Sequence, residues 1–244
     1  MDSAARLAAM SKLEHLSDGL PLSRRRALAW LGGLGLAALV PGCADDDAAA
    51  PTTTTGAATT GTGADCVLMP ELTEGPYYLD LDLVRRDITE GRAGLPFDLN
   101  VTVVDAESCE PIEGAAVDVW HCDAEGVYSG VEGDSGTFLR GVQMTGADGV
   151  ASFRTIFPGW YTGRAVHVHL KVALGTDDVH TGQLFFDEAT LTTAYESDPY
   201  AARGAPDTSN EADGIYGESG GTTVVAVTPG EIHRGSVTLG VQRA

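Results

Sequence analysis

The chain has 244 residues, 15 Lys and Arg against 35 Asp and Glu, a formal net charge of −20, and 43% hydrophobic residues. That length suffices for one large all-β domain with a real core, while so acidic a balance excludes docking on a nucleic-acid backbone or, by charge, on anionic lipid. Ordinary hydrophobic content together with 3 Trp, 7 Tyr and 6 Phe excludes a disordered acidic chain.

At the front, residues 23–43 read SRRRALAWLGGLGLAALVPGC. Three arginines precede an apolar run from Leu28 to Val40, which is too short for a permanent membrane span. This arrangement predicts an export signal over 1–42. The Ser23-Arg24-Arg25 start resembles twin-arginine signals, and Gly42-Cys43 resembles a lipoprotein cleavage site. Cys43 is therefore a candidate lipid anchor, and the only membrane link the sequence offers. Residues 43–65 are rich in Thr, Ala and Gly without periodicity, the composition of a flexible linker. Removing 1–42 leaves 10 basic and 32 acidic residues, so the mature part carries −22 and the acidity belongs to it rather than to the signal.

From Cys66 the pattern has period two. Phe97, Leu99, Val101 and Val103 alternate with Asp98, Asn100 and Thr102, which predicts a strand with one buried face. Val117 to Trp120 follows after a turn, and further strands are expected over 137–143, 150–155, 165–174, 182–186, 222–228 and 236–241. Gly, Pro, Asp and Asn separate them at short intervals. One helix is expected over 188–203, capped by Asp187 and broken or ended by Pro199. The fold expected over 66–244 is a single all-β domain, an antiparallel β-sandwich with long loops and one short helix.

Setting Cys43 aside, three cysteines remain. Cys109 falls in the predicted turn and Cys122 at the far end of the next strand, roughly 20 Å away at ~3.3 Å per residue, whereas a disulfide needs Cα atoms within ~7 Å. Cys66 is thus expected to pair with Cys109 or Cys122, in keeping with an oxidising compartment. No CxxC spacing suggests thiolate metal binding.

The sharpest local signal is Ala165-Val166-His167-Val168-His169-Leu170-Lys171. On a strand, His167 and His169 point to one face, roughly 7 Å apart along the backbone, where their imidazoles can converge on a metal ion. Val166, Val168 and Leu170 fill the other face, and their burial fixes the register. Tyr161 and Arg164 lie within eight residues of His169.

The string TIFPGWYTGRAVHVH, with TEGPYYLD near residue 75 and VDVWHCDAEGVYSG at 117–130, resembles the intradiol ring-cleavage dioxygenases. The similarity covers 66 to about 190. It implies a β-sandwich that uses non-haem Fe(III), with dioxygen and a small aromatic diol as substrates. By position, the family's tyrosinate ligands match Tyr128 and Tyr161, and its histidine ligands match His167 and His169. Its active-site arginine matches Arg164, its pocket glutamine matches Gln183, and Tyr77 and Tyr78 fall at the pocket mouth. Hard Fe(III) suits anionic oxygen ligands better than thiolate, and a phenol of pKa ~10 ionises at neutral pH only in a cation's field. The resemblance further implies that Tyr161 is displaced by the chelating diol and takes a proton, and that Arg164 stabilises charge building on the ring. Cleavage then gives a cis,cis-muconate-type diacid.

Taken singly, each residue has a blander reading. Tyr128 could be a sandwich-edge aromatic, Tyr161 a turn residue packing on Trp160, Gln183 an exposed strand residue, and Arg164 the partner of any nearby carboxylate. His121 reads as a satisfied structural histidine, and His180 and His233 as solvated loop residues. Competing functions are a non-catalytic β-sandwich module binding carbohydrate, copper or a protein partner, and a zinc hydrolase, for which no carboxylate is suitably spaced. Catechol dioxygenases in the family carry a helical N-terminal dimerisation region. The stretch from Cys66 to Pro96 shows no helical period of that size, so that mode of dimerisation is not expected.

Overall fold

The computed structural model describes residues 66–131, 133–175 and 177–243. The expected export signal, linker and Cys43 lie outside the described residues. Among the described residues, no helix is long and apolar enough to cross a membrane.

Eight strands carry the fold: β1 (Pro96–Asp105), β2 (Ala116–Trp120), β3 (Arg140–Met144), β4 (Val150–Ile156), β5 (His167–Leu174), β6 (Asp177–Phe186), β7 (Val224–Thr228) and β8 (His233–Val241). They form one sheet in the order β3-β2-β5-β6-β7-β8-β1-β4. The alternation in β1 is realised, with Phe97, Leu99, Val101 and Val103 between 0 and 1% exposed. These side chains share one buried cluster with Val117 and Val119 of β2, Val168, Leu170 and Val172 of β5, and Leu184 and Phe186 of β6. Both halves of the sheet thus turn their apolar faces onto a common core, and the sheet wraps nearly into a barrel. Phe157, in the turn after β4, packs its ring 5.6 Å from Phe97 and 4.7 Å from Phe186, joining the two halves.

The pairing is not purely antiparallel, which corrects the expectation for the sandwich. β1 runs parallel to β8 over nine residue pairs, and β6 runs parallel to β7 at Phe185 and Phe186. Parallel partners need long connections. Between β6 and β7 the chain supplies one, the helical excursion over 187–223, and nearly the whole domain lies between β1 and β8.

That excursion holds α1 (Glu188–Tyr195), 3₁₀ turns at Tyr200–Ala202 and Asn210–Ala212, and α2 (Gly214–Ser219). Asp187 caps α1 by accepting from Thr190 N at 2.8 Å, as expected. The helix stops at Tyr195 instead of reaching 203, and Pro199, which disfavours the helical region at the residue before it, bars its continuation beyond 198. A second helix was not expected, and α2 is too short to show a helical period in sequence.

The stretch before β1 contains no helix among the described residues and straps the sheet from outside. Leu72 N donates to Thr181 O of β6 at 2.8 Å. Further along, Val84 bridges Val142 of β3 and Asp87 bridges Arg154 of β4. The strap therefore covers both edge strands, whose unpaired backbone groups would otherwise template association. Its start is tied to the β1–β2 turn by a Cys66–Cys109 disulfide, with Cα atoms 5.3 Å apart. Cys122 remains a buried thiol, its pKa pushed up to about 12 by burial.

Two histidines differ from expectation. His180 is buried on β6 and not solvated, its Nδ1 3.6 Å from Glu71 Oε1. His233 opens β8 and is half-buried. Both sit on strands that extend further than the apolar alternation suggested.

Candidate metal centre

His167 and His169 stand on one face of β5 at 2% and 1% exposure, with Val166, Val168 and Leu170 on the other face at 0%. Their Nε2 atoms are 3.1 Å apart. The Nδ1 of His167 lies 2.6 Å from Ala165 O, which fixes that nitrogen as the donor and leaves Nε2 a bare lone pair. Tyr161 Oη is 3.1 Å and Tyr128 Oη 3.5 Å from this same Nε2. Two imidazoles and two phenols thus converge on one small volume.

His169 is oriented by packing. Its ring stacks on Trp120, the residue opposite it on β2, with centroids 4.9 Å apart and planes within 5°. At its Cε1 edge passes Gly75, at φ +74°, where a Cβ would lie 3.0 Å from His169 Cε1. Glycine permits both this backbone conformation and the close approach.

The two tyrosines come from separate loops. Tyr128 follows a turn in which Asp123 Oδ1 accepts from Glu125 N at 3.0 Å and Val127 N at 2.9 Å. Arg92 pairs with the other oxygen of Asp123. Tyr161 follows Pro158-Gly159-Trp160. A Cβ on Gly159 would strike the backbone of Asp123 and Ala124, so glycine lets the loops touch. Arg203 bridges them, donating from Nη1 to Ala124 O at 3.2 Å and Trp160 O at 2.7 Å while stacking over the Trp160 ring.

Arg164 leads into β5. Its Nε donates to Asp213 Oδ2 at 2.9 Å and its Nη2 to Gln183 Oε1 at 2.5 Å. Gln183, fully buried on β6 opposite His169, donates in turn to Thr73 O at 2.9 Å. At the mouth, Tyr77 stacks on Tyr128 with centroids 4.6 Å apart. Tyr78 lies against Trp120, beneath the ammonium of Lys171, which pairs with Glu74.

Electrostatics matches a cation site. Burial drives the His167 pKa down to about 3, and the Arg164 charge adds to the shift. Burial, then His167, pushes His169 well below the ordinary imidazole range. Both histidines are thus neutral lone-pair donors at neutral pH. Burial raises both phenols, Tyr128 strongly, so ionising them requires a cation's field. Among the described residues no cluster of three or more His, Cys, Asp and Glu could hold a metal. A metal here draws on phenol oxygen, which suits a hard ion such as Fe(III). The residues present fit that ion.

The residues singled out in sequence as ligands or catalytic groups, Tyr128, Tyr161, Arg164, His167, His169 and Gln183, come together, with Tyr77 against Tyr128 and Tyr78 against Trp120. His121 stays outside, its Nδ1 2.8 Å from Cys122 O and its Nε2 2.8 Å from Thr155 Oγ1, a satisfied structural histidine. Three contributors were not foreseen. Trp120 was visible on its strand, but not as the plate behind His169. Asp213 and Arg203 reach the site from 49 residues beyond Arg164 and 43 beyond Trp160, and no local pattern marks them.

Residues 73–202 match the family described as Dioxygenase. The chlorocatechol 1,2-dioxygenase of Cupriavidus pinatubonensis is 30% identical over 138 residues, 47% of this chain and 53% of that protein. The catechol 1,2-dioxygenase 1 of Acinetobacter lwoffii is 34% identical over 102 residues, 38% of this chain and 32% of that protein. The chain thus spans about half or less of these curated relatives. Among solved structures, the intradiol ring-cleavage dioxygenase of Tetranychus urticae matches with a TM-score of 0.70 at 34% identity, over 72% of this chain and 95% of that one. The dioxygenase domain of a dioxygenase carbohydrate-binding protein fusion from Streptomyces sp. SirexAA-E matches with a TM-score of 0.56 at 28% identity, over 72% and 99%.

Proposed function

The chain belongs to the intradiol ring-cleavage dioxygenase family, and from that premise we propose that it is an Fe(III)-dependent enzyme opening a catechol-type ring with dioxygen to a cis,cis-muconate-type diacid. The observation that carries this reading is the convergence of Tyr128 Oη, Tyr161 Oη and His169 Nε2 within 3.1–3.5 Å of His167 Nε2. Bound among these atoms, ferric iron supplies a Lewis-acidic field that ionises phenol and diol oxygens and makes the electron-rich ring reactive towards dioxygen.

The chain's own residues divide the remaining work. His167 and His169 hold the ion as neutral donors. Tyr128 is 4% exposed and would hold its place, whereas half-buried Tyr161 is the more accessible of the two phenols and would take up the proton that an entering diol gives up. Arg164, held by Asp213 and Gln183, faces the negative charge that grows on the ring. Uncharged diols are the favoured substrates. The charge of Lys171 is met by Glu74, so it is not available to receive a substrate carboxylate, and an acidic chain at −20 gives a carboxylated diol no attraction.

The test is to load the purified protein with ferric iron, record its visible tyrosinate charge-transfer band, and follow ring opening of catechol, protocatechuate and hydroxyquinol. A red-brown protein that cleaves catechol faster than protocatechuate is expected. A colourless protein, iron-free and inactive after loading, overturns the reading.

A further inference from the structure

Asp213 lies beyond the segment 73–202 that matches the family and 49 residues from Arg164, yet its carboxylate is buried against the candidate site. Its oxygens divide their work. Oδ1 caps α2, accepting from Ile215 N at 2.8 Å and Tyr216 N at 3.2 Å. Oδ2 turns the other way and accepts from Ala165 N at 2.7 Å and Arg164 Nε at 2.9 Å. A cap needs only one oxygen, so helix formation does not account for the second. The side chains of Arg164 and Asp213 are 18% and 2% exposed, an ion pair largely withdrawn from solvent screening.

The guanidinium is a rigid plane with five N–H donors. Asp213 engages it at Nε and Gln183 at Nη2, with Gln183 itself anchored to Thr73 O. Two contacts at separate corners fix both the position and the tilt of the plane. Because the carboxylate binds through Nε and does not fork across the terminal nitrogens, the Nη1 corner, which makes no hydrogen bond among the described residues, is left to meet charge on a substrate. The same Oδ2 tethers the backbone of Ala165, between Arg164 and the strand that carries both histidines.

We infer that Asp213 is a positioning residue for ring cleavage: it sets the guanidinium of Arg164 where charge develops on the diol, and its effect on turnover runs through Arg164. This inference rests on the dioxygenase reading above. A positioned charge is sensitive to small displacements, with about 10²-fold in rate lost for ~1 Å.

The test is a double-mutant cycle in the iron-loaded full chain, with catechol as substrate: wild type, Asp213→Asn, Arg164→Gln and the double variant. Asp213→Asn is expected to lower kcat by about 10–10²-fold, with little change in KM, in iron content or in the charge-transfer band. In the Arg164→Gln background the same change is expected to leave kcat unaltered. Should Asp213→Asn fail to fold, Asp213→Ser, which keeps a one-oxygen cap, takes its place in the cycle. Wild-type kcat in Asp213→Asn, or an equal drop in both backgrounds, overturns the positioning role while the dioxygenase reading stands. A wild-type protein that cleaves no diol overturns both.

Discussion

His167 offers a metal only one nitrogen, since Nδ1–H is held by Ala165 O at 2.6 Å. His169 has no such tether among the described residues, its Nδ1 being buried without a hydrogen-bond partner. Stacking on Trp120 and the close passage of Gly75 orient it instead. The two histidines were legible in sequence, because alternation along a strand puts residues i and i+2 on one face. The tyrosines were legible only through family motifs, since nothing local distinguishes Tyr128 or Tyr161 from a packing aromatic. His169→Ala and Tyr128→Phe each remove a donor. Either should reduce iron affinity by more than the about 10–10²-fold that loss of a supporting contact costs, and abolish ring cleavage, while far-UV circular dichroism keeps the β signal. Full iron retention in either variant would show that the ligand set is misassigned.

At the scale of elements, the site is a junction of one strand and three irregular segments. β5 supplies the histidines, the Asp123–Tyr128 turn and the Pro158–Tyr161 turn supply the phenols, and the strap supplies the roof at Gly75 and Tyr77. The strands were readable from period-two burial. The helical excursion over 187–223 was only half readable, because α2 and the 3₁₀ turns are too short to show a period. Yet this excursion delivers Asp213 to Arg164 and Arg203 to the tyrosine loops. Arg203 donates to one carbonyl in each loop, Ala124 O and Trp160 O, and so sets their spacing. Arg203→Met keeps much of the packing on Trp160 but removes both hydrogen bonds. It should weaken iron binding by about 10–10²-fold in competition with a ferric chelator, with turnover per bound iron close to wild type. Unchanged iron affinity would reduce Arg203 to a surface contact.

For the whole molecule, burial of neutral histidines ties stability to pH. Burial lowers the pKa of His121, and likewise of His180, from the ordinary 6.5 to about 4. Below 6.5 the unfolded chain takes up protons that the folded domain refuses, so stability falls as pH drops from about 6.5 towards 4 and is indifferent to these groups above that window. Each histidine contributes a slope of at most about 1.4 kcal/mol per pH unit. Urea denaturation at stepped pH should show this loss, and His180→Gln should make the slope shallower. The acidic surface contributes in the opposite sense, since neutralising carboxylates on acidification relieves the self-repulsion of a chain at −20.

Alternation along the chain is enough to set its mostly β character, the buried faces of β1 and β5, and the pairing of His167 with His169 on one face, because a strand's period of two places side chains without reference to the rest of the fold. Tertiary structure alone decided that β1 lies parallel to β8, that Cys66 bridges to Cys109, and that Asp213, Arg203 and Gly75 frame the site. Those contacts join residues 43 to 110 or more positions apart, as from Cys66 to Cys109 and from Thr73 to Gln183. They are set by how the wrapped sheet closes on its core, and periodicity within any one segment carries no record of that closure.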